Sequence, residues 1–348
     1  MPNSARPAVL LIGESEELTA AFRRLGVTVH TAPAGVAPVG AELRALVERH
    51  GVDHVVPLVE DVDIAGLESL EASGVDIVPS AKGCRLTVER DTLRTVAHDE
   101  LGLPTTAYRF ADTREEFRAA VEELGLPCIV KPARFSAEKG HRVLRAGDDV
   151  ELAWQDRRVM VERFVDFDHE LTMLAVRSVD PATGRLATWF CEPVGHAHRD
   201  GKLAEAWQPM DVNVSALENA RSMTARIINS LGGRGLFAVE MFVAGEDVYF
   251  SAVTPRPHDS GAVTMCSQRF SQWDLHARAI LGLPIDTTLI SPGACAIVRE
   301  PLDLARALAV PESDVRHYEN FPSVALVTAE TVEQARENAA QVAASTIG

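Results

Sequence analysis

The chain has 348 residues, 34 Lys plus Arg against 50 Asp plus Glu, and 46% hydrophobic residues, numbers that suit about two or three globular domains and exclude disordered and fibrous classes. A formal net charge of −16 without a Lys/Arg-rich run repels a phosphate backbone, so no nucleic-acid partner is expected. No run approaches the roughly 20 apolar residues of a membrane span, and Met1-Pro2-Asn3-Ser4-Ala5-Arg6 lacks a secretory pattern, so the expectation is a cytoplasmic protein with no membrane partner.

Residues 8–13 form an apolar run ending in Gly13, and Leu18, Ala21, Phe22 and Leu25 then recur at helical spacing up to Gly26. This predicts a buried parallel strand, a turn and an amphipathic helix. A strand at 27–30, a Gly/Pro/Ala loop at 33–40, a helix at 41–50, a strand at 54–58, a helix at 64–73 and a short strand at 75–79 continue the alternation, which implies a doubly wound sheet. Residues 82–101 read as helix, ended by Gly102-Leu103-Pro104-Thr105. A different organisation follows: a strand at 108–110, a helix at 113–124, and a strand at 127–132 that delivers Lys131 beside Pro132. A loop at 135–140, a strand at 143–144, a short helix at 148–154 and a strand at 158–164 come next. Strands at 171–176, 187–190, 236–243 and 248–253 surround a helix at 216–231, and the C-terminal part holds strands at 294–299 and 324–328 and a helix at 331–344. The five cysteines are odd in number and sit among apolar or small residues, which reads as reduced core thiols.

Four segments carry a resemblance: Cys128-Ile129-Val130-Lys131-Pro132; Val161-Glu162-Arg163-Phe164-Val165 with Glu170; Gly235-Leu236-Phe237-Ala238-Val239-Glu240; and Thr254-Pro255-Arg256-Pro257-His258-Asp259-Ser260-Gly261. With Pro193-Val194-Gly195-His196 and Trp207-Gln208-Pro209, their order resembles the ATP-grasp ligases and, in detail, the formate-dependent phosphoribosylglycinamide formyltransferase family, strongly over residues 80–290 and weakly outside them. The resemblance implies an α/β ATP-grasp fold. Residues 1–80 would form a reduced, Rossmann-like pre-ATP-grasp domain, 81–290 the ATP-grasp domain with a lid lobe near 108–185, and 291–348 a small C-terminal α/β domain; family members commonly pair as homodimers.

The implied chemistry is activation of a small acid by ATP to an acyl phosphate, which an amine then attacks, with Mg2+ neutralising the phosphates. By motif position, Lys131 and Arg90 contact the phosphates, Glu162 and Val165 take the adenine edge through backbone groups, and Glu170 holds the ribose hydroxyls. Ser136, Lys139 and Gly140 fall in the phosphate lid, Glu240 holds magnesium, Arg256 stabilises the transferring phosphoryl group and Asp259 keeps an acceptor-side role. Three features depart from the family pattern. Glu138 stands in the lid where glycine lets backbone amides approach phosphate. Ala252 stands where the second magnesium glutamate belongs, predicting a weakened or single-ion site. On the acceptor side the first turn is the acidic Gly13-Glu14-Ser15-Glu16-Glu17, Leu58 takes the place of an acid, and residues 316–324 lack paired arginines, so a ribonucleotide phosphate would be poorly held. Among other clusters, Cys191 reads as core, His196 and His198 with Glu192 as an exposed strand end, and Glu60-Asp61-Val62-Asp63 as a solvated loop.

The leading expectation is therefore an ATP-dependent carboxylate–amine ligase, or formyltransferase-like enzyme, acting through an acyl (formyl) phosphate on a non-standard amine. The alternative is a catalytically degenerate ATP-grasp protein that binds a nucleotide or a protein partner. A third reading, the family's usual reaction on glycinamide ribonucleotide, requires arginines supplied from elsewhere in the chain.

Overall fold

Every side chain of Ala8–Ile12 is buried, which suits a strand covered on both faces at the interior of a parallel sheet. In the computed structural model, which describes residues 6–32, 39–134, 142–199, 201–319 and 322–347, this strand lies between Thr28–Ala32 and His54–Pro57, with Asp76–Ile77 beyond, all parallel. Helix Glu16–Arg24 follows the first strand; Ser15 accepts from the Leu18 amide at 3.2 Å, and Glu16 and Glu17 sit favourably at its positive end. Its apolar face, Leu18, Ala21 and Phe22, packs with Ala277 and Ile280 of the later helix Gln272–Ile280. Gly13 takes φ +106°, and a Cβ there would stand 2.9 Å from Val59, so the turn after the first strand requires glycine.

A second, antiparallel sheet has the order Tyr108–Ala111, Val159–Arg163, Cys128–Pro132, Arg142–Leu144. Helix Arg114–Leu124 backs it through Phe117, Ala120, Val121 and Leu124, and starts with a reciprocal Thr113 and Glu116 capping box.

The third sheet has nine strands. Its path runs Asp247–Thr254, Gly235–Ala244, His169–Val179, Val194–Arg199, Lys202–Gln208, Gly293–Val298, Ser323–Thr328, Ser313–Arg316, and Leu186–Phe190 also pairs with His169–Val179. Leu171, Met173 and Ala175 point to one face, where helix Val214–Leu231 covers them; Leu174 and Val176 point to the other, beneath helix Gln272–Ile280. Along that second face the apolar cover stops at Leu174, so the next residues of the same row, Thr172 and Glu170, belong to the cleft end of the strand. Helix Val332–Ala343 packs on the C-terminal strands through Ala335, Ala339 and Val342.

The structure differs from the sequence reading in several places, the unpredicted C-terminal strand Ser313–Arg316 and short helix Leu304–Ala307 among them. The helix expected over 82–101 is broken into Ala81–Val88, Arg90–Thr95 and a π-helical turn Val96–Glu100, because the backbone at Glu89 bridges to Arg134 and the Asp91 amide donates to the Ala133 carbonyl. The hairpin Val194–Arg199 with Lys202–Gln208, and the helix Gln272–Ile280, were not among the predicted elements. All five cysteines are unbridged and four are buried, as core thiols should be; burial pushes the Cys84 and Cys191 thiols up to about 12. No helix among the described residues is long and apolar enough to cross a membrane.

Candidate active site

Strand register assembles the site. His196 pairs with Glu170 and Val194 with Thr172 on one side, while Glu240 pairs with Thr172 on the other and with Ala252 beyond. Because side chains alternate with period two, Glu170, His196, His198, Glu240 and Ala252 all share one face of the sheet. That face forms the floor of a cavity of about 810 Å³ whose opposite wall comes from the second sheet, through Ile129, Lys131, Val143 and Met160. Helix Arg90–Thr95 and the loop at Leu58 and Glu60 close the sides.

The cations of the upper wall are organised by one buried carboxylate. Glu162 is 3% exposed; it lies 2.5 Å from Lys131 Nζ, accepts from Thr106 Oγ1 at 3.3 Å, and forms a short ion pair with Arg94. Arg94 also donates to the carbonyls of Phe250 at 3.2 Å and Ser251 at 3.3 Å, tying the two sheets together behind the cleft. Burial alone would raise the Glu162 carboxyl, but Lys131 and Arg94 outweigh it and hold it down at about 2. Burial pulls Arg90 below the usual guanidinium range, opposed by the carboxylates of Glu162, Glu60 and Glu240. A cleft with these cations above and Glu240 below suits a polyphosphate with its counter-ion.

On the floor, His198 Nδ1 lies 2.8 Å and His196 Nδ1 3.8 Å from the same Glu170 oxygen. His196 is 4% exposed, and neither of its ring nitrogens has a hydrogen-bond partner among the described residues. Burial lowers its pKa to about 4, while the bond to Glu170 raises that of His198. The chain bends to place this pair: a Cβ on Gly195 would stand 2.3 Å from the Trp207 ring opposite, so only glycine lets the hairpin close at that point. Glu240 lies 3.7 Å from His258 Nε2; burial would raise its carboxyl, but His258, His196, His198 and Lys131 together lower it. Its carboxylate is the kind of hard oxygen donor that suits Mg2+ bound together with nucleotide phosphates, and the residue paired across from it is Ala252.

Elsewhere on the cavity lining, Arg256 forms a short ion pair with Glu60, and Asp259 is exposed. His258 is fixed by Ser260, whose hydroxyl lies 2.8 Å from Nδ1 and donates to Thr172 at 3.0 Å. Further out, Tyr318 donates to Glu17 at 3.0 Å, and Arg316 lies 2.8 Å from Asp314 and 3.8 Å from Glu17.

Of the residues singled out from sequence, Arg90, Lys131, Glu170, Glu240, Arg256 and Asp259 line this one cavity. Glu162 and Val165 line an adjoining crevice with Ile129, Phe164, Phe167 and Phe242. Ser136, Lys139, Gly140 and Glu138 lie outside the described residues. Two readings are corrected. The strand end at His196 is not exposed, because the residue lies beneath the cleft, paired across the sheet with Glu170 rather than set beside Glu192. The acidic stretch at 60–63 is not simply solvated, because Glu60 turns inward onto Arg256. Arg94 escaped the sequence reading altogether; its only signal was a basic residue one helical turn after Arg90.

The ATP-grasp domain model matches residues 96–273. Curated formate-dependent phosphoribosylglycinamide formyltransferases from Corynebacterium glutamicum (strain R) and Paraburkholderia xenovorans (strain LB400) are 48% and 44% identical, over 99% and 97% of this chain and 94% of each relative. The first alignment runs to 387 positions, more than the 348 residues here, so this chain is gapped against that relative. The structure of glycinamide-RNase-transformylase T from Mycobacterium tuberculosis matches with a TM-score of 0.86 at 37% identity, covering 98% of this chain and 100% of that one. An N5-carboxyaminoimidazole ribonucleotide synthetase from Thermus thermophilus, 24% identical with a TM-score of 0.83 over 98% of this chain and 99% of that one, shares the fold. This similarity supports ATP-grasp ligase or formyltransferase chemistry in general, with ATP and Mg2+ binding. The ordered motifs, the cleft that joins them and these similarities place the chain in the formate-dependent phosphoribosylglycinamide formyltransferase family of the ATP-grasp superfamily.

Proposed function

We propose that the protein is an ATP-dependent carboxylate–amine ligase of the formyltransferase type, which makes an acyl phosphate from formate or another small acid and passes the acyl group to an amine other than glycinamide ribonucleotide. The observation that carries this reading is the contrast between the two ends of the cavity. At the nucleotide end, Lys131 and Arg90 face the cleft and Glu162 holds Lys131 in place. At the other end Leu58 lines the cavity where the resemblance implies an acid, and Arg316, outside the cavity lining, is already engaged by Asp314 and Glu17. A phosphate dianion there would meet carboxylates and two guanidinium groups, Arg256 and Arg316, that carboxylates already engage, which is a poor anion site.

In this reading Lys131 and Arg90 position the phosphates, and Ser136, Lys139 and Gly140 contribute to ATP binding by motif position alone. Val165 and the backbone of Glu162 take the adenine edge, and Glu170 faces the ribose. Magnesium, when bound, would neutralise phosphate oxygens so that the acid's carboxylate can approach the terminal phosphorus. Glu240 would hold it as a single, weakened site, since Ala252 offers no oxygen. Arg256 would leave Glu60 to meet the transferring phosphoryl group, and Asp259 would orient the attacking amine. We assign residues 1–80, 81–290 and 291–348 to the pre-ATP-grasp, ATP-grasp and C-terminal parts, and take the protein to be a cytoplasmic homodimer that handles small-molecule acids and amines.

A second reading has its own support: 48% identity over 99% of the chain favours glycinamide ribonucleotide itself as the amine. Release of ADP from ATP should be followed across a matrix of small acids, formate included, and amines, glycinamide ribonucleotide included. Turnover that needs an acid and an amine but is not supported by glycinamide ribonucleotide bears out the proposal. Saturable turnover with formate and glycinamide ribonucleotide establishes the second reading, and no release in any well sends the account to a degenerate nucleotide-binding protein.

A further inference from the structure

We propose that Glu170, His196 and His198 form a site for a transition-metal ion of the Zn2+ class in the floor of the cleft, distinct from any magnesium brought by a nucleotide. Their donor atoms all lie within 4.8 Å of one another. A tetrahedral ion with ligands at about 2.1 Å needs donors about 3.4 Å apart. The observed separations from the Glu170 oxygen, 2.8 Å to His198 and 3.8 Å to His196, bracket that spacing, and the two imidazole donors lie within 4.8 Å of one another.

Two further observations point the same way. His196 is 4% exposed and has both ring nitrogens without a hydrogen-bond partner among the described residues, a costly arrangement for an imidazole that packing alone does not require. The backbone also places His196, which pairs with Glu170 across the sheet, and His198, beyond a register irregularity at Ala197/His198, still reaches the Glu170 carboxylate. The donor set selects the metal. Two imidazoles and one carboxylate suit Zn2+ and its neighbours in the first transition row, whereas Mg2+ prefers oxygen ligands throughout. Three protein ligands leave a fourth position open toward the cavity, where Glu240 and His258 also stand.

The test uses the full chain without an affinity tag, stripped with a chelator, dialysed, and titrated with Co2+ and then Zn2+ in the absence of nucleotide. The proposal expects one Co2+ per chain with the intense visible bands of a four-coordinate ion, displaced by Zn2+. His198→Ala and Glu170→Gln should each weaken binding at least about tenfold while leaving the circular dichroism spectrum unchanged. Should one variant fail to fold, the other decides. His30 and His50, whose rings stack 4.0 Å apart, are the competing histidine pair, and His50→Ala should leave the titration as it was. Absence of stoichiometric Co2+ binding, binding that survives both cleft variants, or binding lost with His50→Ala would each overturn the proposal. Because no nucleotide is present, a negative result leaves the ligase reading standing, and failure of ATP turnover leaves the metal site standing.

Discussion

Buried between Lys131 and Arg94, the Glu162 carboxylate connects the second sheet to the helix and the strand end behind the cleft. Removing it strands two cations in a dry setting. Glu162→Ala should cost about 3 kcal/mol or more, the usual penalty for breaking one side of a buried ion pair, measured by urea unfolding. The sign of the pH dependence follows from the depressed carboxyl: with an ordinary value near 4.5 when unfolded and about 2 when folded, its stabilisation is complete above 4.5 and is lost as pH falls through about 2. The unfolding midpoint of the parent should therefore drop across that window, and Glu162→Gln should flatten the drop; parallel profiles would contradict the assignment. Ala252 makes a second test at this scale. The register sets it opposite Glu240, so Ala252→Glu should supply a further carboxylate and lower the magnesium needed for half-maximal ATP binding by at least about tenfold. An unchanged magnesium requirement would show that residue 252 does not face the ion. That Lys131, Glu240 and Arg256 share one cavity could be anticipated because they lie in contiguous motifs, whereas Arg94 could not be picked out, since its partners, Glu162 and the Phe250 and Ser251 carbonyls, are remote in sequence.

Among the elements, the hairpin Val194–Arg199 with Lys202–Gln208 sets the floor of the cleft. Its tight point is Gly195 against Trp207, and that ring cannot swing away freely, since Arg336 lies 3.8 Å from its centroid and is itself paired with Glu205 at 2.8 Å. Gly195→Ala should therefore destabilise the protein by about 1 to 3 kcal/mol, as overpacking does, and shift the tryptophan emission. Stability within error of the parent would mean that the hairpin relaxes at no cost. The hairpin was hidden in the sequence because its strands carry His, Arg, Lys and Glu, which blur the period-two pattern on which a strand reading depends. The strand at 8–13 carries no charged residue and that at 236–243 only Glu240, so both were plain. The helix over 82–101 kept its pattern of apolar residues through the break, because Leu86, Leu93, Val96 and Ala97 all pack into one core, so periodicity could not reveal that Glu89 leaves the helix to meet Arg134.

At the scale of the molecule, the cleft exists because two sheets of different origin meet across it: one supplies Lys131 from above, the other Glu170, His196 and Glu240 from below. The order of the motifs made this pairing legible, since each lies at a strand end that the fold turns toward the same space. The surroundings of Leu58 and Arg256 were legible only in part. Leu58 and the acidic first turn could be read from the sequence, but the pairing of Arg316 with Glu17, and of Glu60 with Arg256, joins residues far apart in the chain. The account rests on a nucleotide end that still works with a single magnesium carboxylate. Calorimetric titration of the purified protein with ATP, with and without Mg2+, tests that claim most directly: micromolar binding that depends on Mg2+ is the predicted result, and absence of binding under both conditions would contradict it.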